Sequence, residues 1–506
     1  MTQYNLSNIT DIYWAVNDGF KSGRDPMGIQ NSSIATYNCL LPGMTNLTGH
    51  IRYYSLYCWL LSEYDRLEQR GDISLHQYNF IRRAELILAF IMKDQGVRSI
   101  VGANFVQTRG DTIFNGDIYD IAIGADYENK GKYWTFKSGA LGQYYIGSLI
   151  HYELVKIVEE RFYLLDKGEE LAQSVRDSVP MDTLNLMLKC VTEGQLPENK
   201  ILELQSLGLH AIKESSSEWD MLNNLLVMQD TNGSSSRRES VYLMLVDYRD
   251  GIKTSDFVEH RFQVYNGLDR YQDASFGWYF YYLCEALHYG IESIFCYILQ
   301  SISALQNPPI AVLLDKITND FSNIVGMELL HVTVEEWMHD CNIKIDEQLS
   351  KVKSQIKTQQ YSDAFVEALK LFLALYREFK ARKDAIMKFE KDHDLVRQRG
   401  ILSEGLKDYV EKHLHSPVQI YPKEMVKQIM NEHTFVALSK MGKHELDLRK
   451  FILENGCAIL VEIRYPIETN PRIESLHNFL VDLRYLNENE HLTPIAQQFI
   501  LNYGRK

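Results

Sequence analysis

Leu164-Leu165-Asp166-Lys167-Gly168-Glu169-Glu170-Leu171-Ala172 has a distant counterpart in Leu492-Thr493-Pro494-Ile495-Ala496-Gln497-Gln498-Phe499-Ile500. Both begin on an apolar anchor, carry a small residue at the fifth position and end on an apolar pair. Asp166 and Thr493 are expected to cap new helices, and Pro494 suits a first helical turn because its missing N–H has no partner to lose there. Arg161-Phe162-Tyr163-Leu164 is short and aromatic enough for a strand. Helix, strand and Asp166-led helix therefore make a winged-helix-like module near residues 141–177. A second is expected near 450–506, where Cys457-Ala458-Ile459-Leu460-Val461-Glu462-Ile463-Arg464-Tyr465 follows the turn signal Glu454-Asn455-Gly456 and Asn470-Pro471 starts a helix. Modules of this kind read DNA or dock other proteins, and seldom do chemistry.

The 506 residues exceed one ordinary core, while 45% hydrophobic and 24% charged residues describe a globular chain. A formal net charge of −14 disfavours broad wrapping of nucleic acid, because phosphates repel the molecule as a whole. The seven cysteines form no CxxC pair, which reads as free thiols in a reducing cytosol. Met1-Thr2-Gln3-Tyr4-Asn5 lacks the features of a secretion signal. The run from 276 to 299 is apolar, yet Glu285, His288 and Glu292 make it a helix buried in protein, so no membrane partner is expected.

The expected fold class is mainly α, a multi-domain helical protein carrying the two small α+β modules. Residues 1–180 form a helical domain ending in the first module, with helices through 52–61 and from about 74 to 93. Residues 181–229 are a helical connector. Asp230-Thr231-Asn232-Gly233-Ser234-Ser235-Ser236-Arg237-Arg238 reads as a flexible boundary. Residues 239–341 form a helical core broken at Asn307-Pro308-Pro309, and 342–420 carry amphipathic stripes that fit a helical hairpin. Residues 421–506 hold the second module.

Glu285-Ala286-Leu287-His288 and Glu336-Trp337-Met338-His339 share the Glu-x-x-His spacing that sends a carboxylate and an imidazole to one helix face, as di-iron bundles require. Glu285, His288, Glu336 and His339 are thus the candidate metal ligands, although ordinary polar roles explain them more simply, with Glu285 and Glu292 as partners of tyrosine hydroxyls. A nuclease would need paired carboxylates and a lysine. Asp120 with Glu128-Asn129-Lys130, and Glu462 in its strand, are incomplete versions of that pattern. His413, His415 and His433 lack zinc spacing, and no GxxxxGK[ST] phosphate loop is present. Asp25, Thr45, His50 and Arg52 are a polar cluster that capping accounts for. The DNA-binding candidates are Arg377, Lys380, Arg382, Lys383, Lys388, Arg397 and Arg399, which with Lys391 lie along one expected helix, joined by Arg237-Arg238; interleaved Glu378, Asp384 and Glu390 favour a solvated face.

Asp25-Pro26-Met27-Gly28, Leu40-Leu41-Pro42-Gly43-Met44-Thr45-Asn46, Arg52-Tyr53-Tyr54-Ser55-Leu56-Tyr57-Cys58-Trp59 and Thr469-Asn470-Pro471-Arg472 together resemble an uncharacterised bacterial protein family of defence-type multi-gene neighbourhoods. The resemblance implies a non-motor subunit, working beside an ATPase or nuclease in anti-phage immunity, and brings no catalytic residues. The layout is also similar to kleisin-like subunits that bridge chromosome-type ATPases. The expected function is accordingly a cytoplasmic, non-catalytic interaction or DNA-sensing subunit without a cofactor, its partners other proteins, with DNA contact and self-association left open. The alternative is a metal-dependent enzyme, either a nuclease or a helical-bundle metalloenzyme.

Overall fold

The computed structural model describes residues 25–93, 99–228, 236–267, 272–340, 343–398, 400–444, 448–487 and 489–504. The chain is mainly helical, with three small sheets among the described residues, as its hydrophobic periodicity requires. It divides into two units, neither of which is a consecutive stretch. The first gathers the described residues of Met1–Asn31, Ala286–Ala381 and Arg399–Ile467, and the second those of Ser32–Glu285, Arg382–Gln398 and Glu468–Lys506. This interleaving differs from the expected run of consecutive domains, and no boundary falls at 230–238. Residues 230–235 of that segment lie outside the described ones, and Ser236–Arg249 is a helix.

In the second unit, the helix Arg52–Arg70 is buried around its whole circumference from Arg52 to Ser62, which makes it a core helix instead of a surface one. Gly71 ends it at φ 73°, a conformation open to residues without a Cβ, and its N–H returns to the Glu68 carbonyl. The helix Gln77–Ile91 is equally buried from Asn79 onward, and three of its charged side chains organise the loops beyond it. Arg82 donates to the carbonyls of Ala125, Trp134 and Phe136 at 2.6–2.8 Å. Arg83 holds Asp126 and the carbonyls of Val191 and Thr192. Glu85, fully buried, accepts from the hydroxyls of Tyr57 and Tyr133 and the amides of Ala140 and Leu141. Burial pushes its carboxyl above the usual range, and the four donors oppose that rise. Gly-rich sequence that reads as loose is thus fixed by buried charge. Arg52 and Glu218 form a further buried pair at 2.8 Å; removing one partner of such a pair costs about 3–5 kcal/mol.

The strand-to-helix succession expected near 141–177 is present as local structure. A short helix Ile146–His151 leads to the antiparallel strands Val155–Val158 and Arg161–Leu164, then to the helix Asp166–Ser178, which packs on Arg52–Arg70. Leu165, not Asp166, is the cap position, and no side chain caps it. The small fifth residue has a steric cause, since a Cβ on Gly168 would overlap the Leu154 carbonyl oxygen at the base of the hairpin. The second module is not one body. Its hairpin, Phe451–Glu454 with Cys457–Leu460, belongs to the first unit, while the helices Ile473–Asp482 and Pro494–Gly504 belong to the second. Thr493 does cap its helix, accepting from the Ala496 amide at 3.5 Å.

In the first unit, the helices Ile345–Lys357 and Tyr361–Ala381 form the expected hairpin, joined through Thr358-Gln359-Gln360. The Pro308-Pro309 break serves the other hairpin: Ala458 donates to the Pro308 carbonyl and Leu460 to Asn307 Oδ1, so prolines that cannot donate sit on a sheet edge. His433, fully buried, takes the Lys450 amide on Nε2 and therefore carries its proton on Nδ1, which donates to the Pro26 carbonyl. The run 276–299 lies within the helix Gln272–Ala304, and no helix among the described residues is long and apolar enough to cross a membrane.

Gly168→Ala forces the Asp166–Ser178 helix away from its hairpin, so denaturant unfolding should show about 1–3 kcal/mol of lost stability, whereas Gly71→Ala, with open space around its Cβ, should cost only its backbone strain.

Candidate functional site

Within the second unit, stretches from opposite ends of the chain converge on two arginines. The turn Leu40-Leu41-Pro42-Gly43 follows the helix Asn31–Leu40, and Gly43 holds φ 78° with so little room that a Cβ would overlap His151 and lie 2.8 Å from Tyr152 Cζ. Arg237, 2% exposed, donates to the carbonyls of Pro42, Leu225 and Leu226 at 2.8–2.9 Å and lies 5.0 Å from the Tyr152 ring centroid. Arg472 precedes the helix Ile473–Asp482 at φ 67°, its amide held by Asn470 Oδ1. Its guanidinium stands 4.9 Å from the Tyr37 ring centroid and donates to the Leu41 carbonyl at 3.3 Å. Asn46 closes the arrangement by donating to the Asn470 carbonyl at 3.0 Å. Asn46, Leu47 and Asn470 are exposed, and Arg472 and His151 are half-buried, so one side of the cluster faces solvent.

Glu285 supports this site from behind. It accepts the Thr469 amide and hydroxyl, both at 2.7 Å, and Thr469 Oγ1 also meets the Tyr281 hydroxyl at 2.8 Å. Within the first unit, Glu292 takes the Ile467 amide at 2.8 Å and stands 3.4 Å from His288 Nε2. These glutamates serve backbone amides of an irregular strap more than tyrosine hydroxyls, which corrects the sequence-based expectation. Burial raises the Tyr37 phenol, with Arg472 opposing and Glu285 adding to the shift. Burial also lowers Arg472, and lowers His151 with repulsion from Arg237 and Arg472.

The metal candidates are not assembled. Glu285 accepts from Thr469, and His288 stands 3.4 Å from Glu292. Glu336 accepts the Thr333 amide and hydroxyl and donates its own amide to Thr333 Oγ1, a capping box, and His339 is exposed beside it. Among the described residues, no three or more His, Cys, Asp or Glu are grouped to hold a metal. The nuclease patterns are also accounted for: Asp120 caps a helix through the Ile123 amide, Glu128 accepts from Tyr78 and Asn79, and Glu462 pairs with Lys450 beyond the end of its strand.

The basic strip does not lie on one helix. Arg377 and Lys380 end the helix Tyr361–Ala381 in the first unit, whereas Arg382, Lys383, Lys388 and Arg397 belong to the second; Arg399 lies outside the described residues. Arg377 donates to the Ile343 carbonyl, and Arg382 stands 5.2 Å from the ring centroids of Tyr265 and Tyr279. Lys380, Lys383, Lys388 and Arg397 are exposed. Of the polar cluster, His50 meets Asp482 at 3.1 Å and Arg52 meets Glu218, while Asp25 caps Met27 and Gln30 in the first unit. Sequence reasoning did not assign roles to Arg472, His151 or Tyr152, and it joined Arg237 to the basic strip, whereas its donors go to backbone carbonyls. The available signal was the pair of turn motifs around Pro42 and Pro471.

His151 has its folded pKa below the unfolded value, so its contribution is complete above about pH 6.5 and is lost as pH falls through that value toward the folded one. Equilibrium unfolding between pH 7.5 and pH 5, roughly that window, should show a smaller acid loss of stability for His151→Gln than for the wild type. The chain matches no protein-family model, and comparison with curated proteins and with solved structures finds no match.

Proposed function

We propose that the protein is a non-catalytic interaction subunit of a bacterial multi-protein complex, one that docks an ATPase or nuclease partner through the Val155–Val158 hairpin. The observation that carries this reading is the unequal state of the hairpin's two edges. Gln77 seals one, its amide donating to the Phe162 carbonyl at 2.9 Å and accepting the Phe162 amide at 3.0 Å. Since Phe162 pairs with Ile157, alternation along the ladder turns the Ile157 backbone groups toward the opposite edge. That edge carries Ile157 and Val158 at 47% and 46% exposure. An edge with unpaired backbone groups and apolar side chains suits strand addition by an extended segment of a partner.

The hairpin tip favours protein over DNA. Glu159 and Glu160 occupy it, both with positive φ, where a wing entering a DNA groove would meet phosphates. Their charge selects a partner segment with basic residues flanking its apolar positions.

The test is affinity purification of the full chain from a host carrying the native gene neighbourhood, with Ile157→Asp/Val158→Asp alongside. An ATPase or nuclease subunit encoded there should co-elute with the wild type and be lost from a variant that retains its circular dichroism. Equal retention by the folded variant, or elution of the wild-type chain alone, would contradict the proposal.

A further inference from the structure

Around the convergence of the Pro42 and Pro471 turns, two donors, Arg472 Nε and the Tyr152 hydroxyl, are buried without an acceptor among the described residues. Arg237 donates to the Pro42 carbonyl and Arg472 to the adjacent Leu41 carbonyl, and Arg237 stands 5.0 Å from the Tyr152 ring centroid, so the two guanidinium charges share one neighbourhood. Arg237 spends donors on three carbonyls. Arg472 has the Leu41 carbonyl at 3.3 Å, and its buried Nε has no hydrogen-bond partner among the described residues. The Tyr152 hydroxyl, on a side chain 1% exposed, is likewise without a partner. A buried hydroxyl left unsatisfied is destabilising, and an unpaired cationic donor in a half-buried place more so, so the arrangement is unfavourable unless something accepts from both. The backbone of Arg472 adds a further cost, since it holds φ 67° without being glycine.

We propose that Arg472, Arg237 and the Tyr152 hydroxyl bind a phosphoryl dianion. Two guanidinium charges match a group that carries roughly −1.5 to −2 at neutral pH better than they match a carboxylate. The planar N–H donors and the phenol O–H are the donor types that phosphate oxygens take. Entry is from the exposed side bounded by Asn46, Leu47 and Asn470. The site makes the protein responsive to a small phosphorylated ligand as well as to its partner.

The free anion and a phosphate monoester present the same chemistry, and two probes separate them: inorganic phosphate and adenosine monophosphate, titrated by calorimetry and thermal unfolding into the full chain. Saturable binding of inorganic phosphate assigns the site to the free anion, and saturable binding of the nucleotide alone assigns it to an ester. Tyr152→Phe removes one buried oxygen and no packing, so the unliganded variant should melt at or above the wild-type temperature yet bind roughly tenfold more weakly, the loss of one hydrogen bond to a charged group. Arg472→Gln should abolish binding. Absence of saturable binding by both probes, or Tyr152→Phe binding as tightly as the wild type, would overturn the proposal.

Discussion

A guanidinium taken out of water needs an acceptor for its donors, and Arg237 finds three in the carbonyls of Pro42, Leu225 and Leu226. The constraint reaches well beyond one side chain. With Arg237 fixed, the Pro42-Gly43 turn is fixed, and Gly43 admits the rings of His151 and Tyr152 because it has no Cβ. Arg472 then brings the C-terminal segment of the second unit to the same turn through the Leu41 carbonyl and the face of Tyr37. Neither arginine has a structural substitute in lysine, whose single ammonium could not span two segments of backbone.

The same device recurs wherever the second unit lacks regular structure. Arg82, Arg83 and Glu85, adjacent on one buried helix, hold the segment from Ala125 to Leu141. Within the first unit, His433 and Lys440 hold the carbonyls of Pro26 and Asp25. Helices supply the apolar bulk, and buried charged side chains position the irregular backbone. Replacing any of these groups by an apolar one leaves several carbonyls or amides without a partner, which is why the charges sit in places that area burial alone would give to leucine.

Helices were legible in the sequence wherever apolar residues recur at helical spacing: 52–70, 77–91, 310–325 and the hairpin of 345–381 all follow from that pattern. So was the entry from a strand into Asp166–Ser178, down to the small residue at Gly168. What the pattern could not show was chain interleaving. A β-hairpin and the helices that follow it read alike whether or not they share a core, so the second winged module was inferred from local signals that the division of 450–506 overrides. The Glu-x-x-His pairs and the basic strip failed for a related reason. Spacing along a helix fixes direction, but a ligand set or a binding face depends on what other segments bring, and another segment brings Thr469 to Glu285, while Glu336 is taken by the capping threonine three residues before it. The turn motifs around Pro42 and Pro471 were visible as turns, but their meeting was not.

If buried carboxylates hold the irregular strap, its amides must be protected without belonging to any helix or sheet. Thr469 donates to Glu285 while its neighbours Glu468 and Asn470 are exposed, so site-resolved hydrogen exchange distinguishes them directly. The Thr469 amide should exchange orders of magnitude more slowly than those neighbours in the wild type, and at their rate in Glu285→Ala. A Thr469 amide that exchanges as fast as its neighbours in the wild type would contradict the account.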